Sequence, residues 1–165
     1  MIRPVQAGDR PAIAAMLEAD TFVASEVAVA LELVDSALEH AGDARADYRV
    51  LVATDAGAGA GADGVAVGYV CYGPTPMTDS TWDLYWLCTA AAARGRGIGG
   101  ALVADMERVI AAAGGRRVRV ETSVEEAYGA ARSFYERHGY LEVGRIPDFY
   151  KPGDDLLTLC KQIGS

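Results

Sequence analysis

Residues 94–100 read Arg94-Gly95-Arg96-Gly97-Ile98-Gly99-Gly100. A strand rich in aromatic residues is predicted before this stretch, over residues 82–89, and an amphipathic helix after it, over about residues 98–113. Glycines allow a backbone to approach a phosphate closely, and the first turn of a helix presents free N–H groups and the positive end of its dipole. The stretch therefore predicts a site for an anionic ligand, with Arg94 and Arg96 adding positive charge beside it.

Two common nucleotide motifs can be compared with this stretch. Its glycines at 95, 97 and 100 fit the dinucleotide fingerprint, and Glu121 lies at about the right distance for a ribose contact. In that fingerprint, however, the strand runs straight into the first glycine, whereas residues 90–94 intervene here. The chain after Glu121 is also too short for a second nucleotide-binding half. A P-loop is excluded because its Gly-Lys-Ser/Thr ending is missing.

Apolar periodicity predicts further elements on both sides of the loop, in the order β-α-α-β-β-β-α-β-α-β-β. The predicted helices are residues 9–19 (with Asp9 as N-cap), 25–40 (with Ser25 as N-cap), 98–113 and 126–138. The predicted strands are residues 2–5, 48–54, 65–72, 82–89, 117–122, 141–146 and 156–162, with a turn at residues 56–64. Several strands follow one another without a helix, so we expect an α+β (mixed α/β) fold: a mixed, mostly antiparallel sheet flanked by about four helices, in one domain over residues 1–165.

The charge of the chain limits its partners. It has 165 residues, with 23 acidic and 15 basic side chains and a net charge of −8. Binding to nucleic acid or to an acidic membrane needs many cations, so we expect neither partner. Seven arginines fall between residues 94 and 132, which suits a small anionic ligand, although a solvated face has the same composition.

The three cysteines, Cys71, Cys88 and Cys160, are far apart and lack metal-ligand or redox spacing. They are expected to be buried thiols in a reducing compartment, so no metal site and a cytoplasmic location are predicted. Charged residues interrupt the beginning of the chain, so no signal peptide is expected there. No apolar run is long enough to cross a bilayer.

Three motifs together resemble one family. The pattern Arg94-x-x-Gly97-x-Gly99, between a strand and an amphipathic helix, resembles the CoA-binding motif of the GNAT superfamily of N-acetyltransferases. The order of elements is similar to that fold over essentially the whole chain. The strand end at Leu87-Cys88-Thr89 lies where the bulged strand of the family binds the pantetheine amides through its backbone. The pattern Ala131-x-x-x-Tyr135-x-x-x-Gly139-Tyr140 resembles a later helix motif of the family.

The resemblance implies an enzyme with acetyl-CoA as its co-substrate. A primary amine of a small molecule, amino acid or peptide would attack the thioester directly, while both substrates are bound to a monomer or homodimer. Tyr135 corresponds to the general acid of the family, and a backbone N–H near residues 87–89 to the donor that stabilises the oxyanion. The residues implied in acetyl-CoA binding are Leu87, Cys88, Thr89, Arg94, Gly95, Arg96, Gly97, Ile98, Gly99, Gly100, Tyr128 and Arg132.

Some of these roles stay open. Tyr128 stands where the family often has an Asn that contacts pantetheine or orders water, so whether it replaces that residue is undecided. Asp83 matches an acidic position that acts as a general base through water in many relatives. Glu121 and His138 are alternative bases, although a His beside Gly139 more often caps a helix.

Acceptor contacts are predicted for four residues. Tyr85 shares a strand face with Asp83 because residues two apart point the same way. The remaining candidates are Glu121, Asp148 and Tyr150. Two alternatives to the transferase stay open: a non-catalytic acyl-CoA sensor of the same fold, and a nicotinamide-dependent oxidoreductase.

Overall fold

The structure is a computed structural model that describes residues 1–55 and 64–164. The predicted turn at residues 56–64 therefore lies outside the described residues, except for Gly64. The strands are β1 Ile2–Pro4, β2 Arg49–Asp55, β3 Val65–Pro74, β4 Thr81–Thr89, β5 Arg117–Ser123, β6 Leu141–Lys151 and β7 Asp154–Gln162. The α-helices are α1 Arg10–Glu18, α2 Ala24–Glu39, α3 Ile98–Ala112 and α4 Gly129–Arg137. Short 3₁₀ helices cover Ala7–Asp9, Ala91–Ala93 and Glu126–Tyr128.

Within the described residues the strands form one sheet, in the order β1-β2-β3-β4-β5-β7-β6. Neighbouring strands are antiparallel except for β4 and β5, which are parallel because α3 carries the chain back across the sheet. The α+β fold with a mixed, mostly antiparallel sheet is therefore confirmed.

Helices cover both faces of the sheet. On one face, α3 buries Leu102, Val103, Met106 and Ile110, which recur at the spacing of one helical stripe. On the other face, α1 and α2 pack against β2, β3 and the end of β4. The core therefore lies in two layers, and the sheet between them fixes where the end of β4 emerges.

β4 and β5 pair only over residues 81–84 and 117–120. Just beyond this pairing, β4 carries a β-bulge: Leu84 pairs with Tyr72 and Trp86 with Cys71, so Tyr85 is an extra residue. A bulge bends its strand and increases the local twist. Residues 85–89 of β4 and 121–123 of β5 therefore separate, and the edge of β4 that faces β5 has no strand partner there.

Several local predictions differ from the structure, among them two helix caps. α2 begins at Ala24, and Glu26 rather than Ser25 bonds the N-terminal backbone, accepting from the Val23 N–H at 2.9 Å. Asp9 does precede α1, but its carboxylate accepts from the Gln6 N–H and from Arg3 instead of capping the helix.

The predicted helix over residues 126–138 is a 3₁₀ helix followed by α4 Gly129–Arg137. β6 and β7 are also longer than predicted, because they pair as a hairpin almost to its turn at residues 152–153. The apolar pattern of β6 could not show this length, since β6 is an edge strand that buries little on either face.

The burial of α3 predicts the free energy of unfolding of one variant. Leu102 is fully buried between α3 and the sheet, so Leu102→Ala should lower that free energy by about 2–5 kcal/mol. Leu141→Ala is the matched control, since Leu141 is 69% exposed on β6 and should cost less than about 0.5 kcal/mol. Urea unfolding of both variants measures the difference, and an equal loss would contradict the assigned core.

Candidate functional site

A cavity of about 550 Å³ lies between the end of β4, the glycine-rich loop and α4. We call it the loop cavity. It is lined by Asp20, Leu87, Cys88, Thr89, Ala93, Arg94, Gly95, Gly97, Ile98, Gly99, Gly100, Ala131, Phe134, Tyr135, Arg137 and His138. The structure thus brings the end of β4 and the glycine-rich loop together around one space.

The glycine-rich loop has the backbone of an anion site. Gly97 is the N-cap of α3 with φ of +76°, a left-handed conformation that favours glycine. The first helical hydrogen bond is donated by Ala101 to Gly97 at 3.0 Å, so the N–H groups of residues 98–100 precede the helical ladder. A Cβ on Gly100 would lie 2.8 Å from Nε2 of His138, so a larger residue there would require the His138 ring to shift.

The two loop arginines lie differently. Arg94 lines the loop cavity, forms an ion pair with Asp20 at 2.7 Å and donates from Nε to the Thr89 carbonyl at 3.3 Å. Arg96 lines a separate cavity and pairs with Asp55 at 2.9 Å. Of the two predicted cations, Arg94 is therefore the one beside the loop cavity.

A second cavity of about 430 Å³ opens where β4 and β5 separate. We call it the cleft cavity. It is lined by Phe22, Glu26, Tyr85, Trp86, Leu87, Glu121, Thr122, Ser123, Glu125, Tyr128, Ala131, Tyr135, Tyr150, Lys151 and Asp154. Its walls come from α2, β4, β5, α4 and the β6–β7 hairpin, so residues distant in sequence face a common space.

Tyr135 belongs to both cavities, together with Leu87 and Ala131. It is 7% exposed and packs edge-on against Phe134 and Tyr140. Burial raises the pKa of its phenol above the ordinary value, so the hydroxyl stays protonated at neutral pH. Tyr135 therefore lies where the two cavities meet, with its hydroxyl protonated.

Asp83 lies beneath this region rather than in it. It is 6% exposed, does not line either cavity, and accepts from Arg119 Nε at 2.6 Å. Arg119 in turn reaches Glu121 at 3.5 Å, and Glu121 lines the cleft cavity. Tyr85 also lines that cavity, and burial together with the nearby Asp83 carboxylate raises its pKa to about 12.

Of four further residues predicted for the site, two line the cleft cavity and two do not. Tyr128 lines the cleft cavity, and its hydroxyl donates to Glu26 at 3.4 Å. Arg132 donates to the carbonyls of Ser123 and Glu125, so it holds the end of β5 against α4. Tyr150 lines the cleft cavity. Asp148 does not; its carboxylate accepts from the Gly153 N–H at 2.7 Å and so orders the β6–β7 turn.

His138 is the C-cap of α4, and its Nδ1 lies 2.7 Å from the Phe134 carbonyl. Its ring stacks on Phe134 with centroids 4.1 Å apart and lines the loop cavity. The prediction of a capping position therefore agrees with the geometry.

Several lining residues have no signal in the sequence motifs. They are Asp20, Phe134 and Arg137 in the loop cavity, and Glu26, Glu125, Lys151 and Asp154 in the cleft cavity. Phe134 is three residues after the motif residue Ala131, and Arg137 is three residues after Phe134, so helical spacing from Ala131 could have placed both, since residues three and four apart share a face. Asp20 and Glu26 reach the site only because α1 and α2 pack on the sheet.

The sequence of the chain also matches a known protein family. The family model of the acetyltransferase (GNAT) domain matches residues 46–142, more than half of the chain and including the glycine-rich loop. The chain belongs to the GNAT acetyltransferase family. The predicted enzyme class, an N-acetyltransferase that uses acetyl-CoA, is thereby confirmed, and the nicotinamide-dependent alternative is set aside. A search of curated proteins finds no match.

Solved structures agree with this family. A GNAT-family protein from Desulfovibrio desulfuricans is 34% identical, with coverage of 99% of this chain and 98% of that one and a TM-score of 0.87. Ribosomal-protein-alanine N-acetyltransferase from Brucella melitensis is 26% identical, with coverage of 98% and 99% and a TM-score of 0.74. An aminoglycoside 6'-N-acetyltransferase complexed with coenzyme A is 17% identical, with coverage of 99% and 97% and a TM-score of 0.75. This last likeness concerns the fold alone.

In this acetyltransferase, the described helices include none with the length and apolarity to traverse a bilayer.

The loop geometry predicts the effect of removing Arg94. Arg94→Ala should weaken the binding of CoA by about tenfold, because a charged hydrogen bond contributes about 1.5–3 kcal/mol. Arg108→Ala is the matched control, since Arg108 is exposed on α3 and pairs with Asp105 outside the loop cavity. Calorimetric titration with CoA measures both affinities. Equal affinities for the wild type and Arg94→Ala would contradict the assignment of the loop.

Proposed function

We propose that the protein transfers an acetyl group from acetyl-CoA to a primary amine by direct attack in a ternary complex. The observation that supports this most is that Tyr135 lines both cavities at once. In this proposal the loop cavity holds the acetyl donor and the cleft cavity the acceptor. The thioester and the amine would meet beside the phenol, in the orientation that direct attack needs.

In this proposal acetyl-CoA lies along the glycine-rich loop and the end of β4. The pyrophosphate of CoA binds the N–H groups of residues 98–100 at the start of α3, with Arg94 beside it. The pantetheine runs along the unpaired edge of β4 over residues 87–89, where backbone groups can bond its amides. A backbone N–H of this same edge stabilises the oxyanion as the thioester carbonyl is attacked.

A route through an acetylated cysteine is disfavoured. Cys88 is the cysteine that lines the loop cavity. Burial, and after it the nearby Asp20 carboxylate, raise the pKa of its thiol to about 12. Because the thiolate is the nucleophile, a thiol held protonated is a poor acceptor for acetyl. This supports direct attack by the amine.

Tyr135 acts as the general acid in this proposal. As the C–S bond breaks, negative charge develops on the CoA sulfur; the apolar surroundings that raise the pKa of the phenol also raise that of the departing thiol, so the phenol can donate its proton to the sulfur. The buried phenol retains that proton until the thiolate forms beside it. The acetyl carbon meanwhile bonds the amine nitrogen, which must lose a proton to give the neutral amide.

We propose that the amine proton leaves through water to Glu121. Of the two carboxylates connected by Arg119, Glu121 lines the cleft cavity and Asp83 does not. Asp83 then contributes by holding Arg119, and through it Glu121, in place. Because Asp83 and Glu121 can be substituted separately, an experiment can show which of the two is the base.

A non-catalytic acyl-CoA sensor of the same fold is the second candidate. Tyr135 favours the enzyme, because a sensor has no need of a proton donor beside the thioester. A sensor would bind acetyl-CoA tightly and release no CoA with any amine of a broad panel. We also propose a cytoplasmic location, because Cys71, Cys88 and Cys160 are all free thiols, as is usual in a reducing compartment.

Removal of the Tyr135 hydroxyl tests the assignment of the general acid. Tyr135→Phe should lower kcat by roughly 10²-fold and leave the affinity for acetyl-CoA nearly unchanged, since the hydroxyl acts on the leaving thiolate. CoA release and calorimetric titration measure the two quantities.

Tyr69→Phe is the control for that experiment. Tyr69 is also buried, lines neither cavity, and its hydroxyl has no partner among the described residues. It should therefore retain the wild-type kcat. A normal kcat in Tyr135→Phe would mean that Tyr135 only packs.

The two carboxylates are separated by a pair of isosteric variants. Glu121→Gln should lower kcat by about 10²-fold as expected of a general base, whereas Asp83→Asn should lower it less. Turnover at saturating acetyl-CoA measures both. If Asp83→Asn abolishes turnover while Glu121→Gln remains near the wild type, Asp83 itself is the base.

A further inference from the structure

The cleft cavity is rich in carboxylates. Its lining includes Glu26 from α2, Glu121 from β5, Glu125 after β5 and Asp154 at the start of β7. The single cation among its lining residues, Lys151, is already engaged by Glu125 in an ion pair. Three further carboxylates, Glu26, Glu121 and Asp154, face the cavity; Glu121 is paired with Arg119, and the other two have no ion-pair partner among the described residues.

These three carboxylates converge on one place. Glu121, Asp154 and Glu26 all act electrostatically on the Tyr150 hydroxyl, and their charge adds to burial in raising the pKa of that phenol. Asp154 is 4% exposed and is fixed by a hydrogen bond from Ser123. The negative charge is therefore concentrated around Tyr150, at the wall made by α2 and the β6–β7 hairpin.

The other end of the cavity is apolar. Tyr135 belongs there to one apolar cluster with Leu87 and Ala131, and burial alone raises the pKa of its phenol. An amine in such surroundings loses its proton more readily, because low polarity disfavours the charged form. The reacting amine thus suits the Tyr135 end, and a charged group suits the Tyr150 end.

Aromatic rings complete the walls between the two ends. Tyr85, Trp86, Tyr128 and Tyr150 all line the cavity. Ring faces attract ammonium groups within about 6 Å, most strongly where water is excluded. A volume of about 430 Å³ lies within the range of small-molecule sites.

We infer that the acceptor is a small amine that carries a second cationic group, such as a diamine, bound at the carboxylates of Glu26 and Asp154. The inference rests on the proposed function, since it identifies the substrate class of the same cleft. One ammonium remains charged beside Tyr150, while the other amine loses its proton and attacks the thioester next to Tyr135.

Three amines with the same five-carbon chain test whether a second positive charge favours binding: 1,5-diaminopentane, pentylamine and 5-aminopentanoic acid. With saturating acetyl-CoA, the diamine should give a kcat/KM at least about tenfold above pentylamine, because one charged hydrogen bond contributes that much. The amino acid should be the poorest acceptor, since its carboxylate meets like charges.

Glu26→Gln removes one negative charge and keeps an acceptor for the Val23 N–H at the start of α2. It should lower kcat/KM for 1,5-diaminopentane by about tenfold more than it lowers that for pentylamine. Glu32→Gln is the matched control, because Glu32 is exposed on the same helix and lines neither cavity. It should change neither value.

Equal kcat/KM for the diamine and pentylamine would overturn the inference and leave the proposed function intact. So would a clear preference for an uncharged tripeptide with an N-terminal alanine. Calorimetric titration of the CoA-bound protein with 1,5-diaminopentane shows whether the diamine binds when no acetyl transfer is detected. Diamine binding that Glu26→Gln weakens, without CoA release from any amine, would support the cation site and reject the proposed transfer; absence of both would reject both.

Discussion

The pairing of β4 with β5 ends after Leu84 and Val120, and the site depends on this limit. If the two strands continued to pair, their side chains and backbone groups would fill the space that both cavities occupy. The bulge at Tyr85 bends β4 away at this point. The separation leaves the free strand edge and opens the cleft cavity, which are the sites we propose for the donor and the acceptor.

The donor half of the site could be predicted from sequence because it is local. Residues 87–100 form one continuous segment, and its glycines, its arginine and its place between a strand and a helix carry their meaning without tertiary contacts. Tyr135 was also predictable, through the spacing of its helix motif. Arg96 was placed beside the same ligand, yet the turn directs it toward Asp55, a partner from β2 that no local pattern indicates.

The acceptor half was much less predictable. Glu26, Glu125 and Asp154 line the cleft through the packing of separate elements, which depends on the sheet order and on the β5–β7 pairing. Asp148 was predicted on chemical grounds, but its carboxylate bonds the backbone of its own turn. The predicted end of β6 was wrong for a similar reason: the length of β6 is set by its pairing with β7 and not by its own apolar pattern.

The contrast between the two halves has a consequence for divergence. One continuous segment supplies most of the lining of the loop cavity, the proposed donor site, whereas α2, β4, β5, α4 and the β6–β7 hairpin each give a few residues to the cleft cavity, the proposed acceptor site. A substitution in one of these wall segments can alter the shape or charge of the cleft cavity without moving the segment that lines the loop cavity. The architecture therefore allows descendants of one ancestor to exchange acceptors in small steps while the acetylating chemistry stays constant.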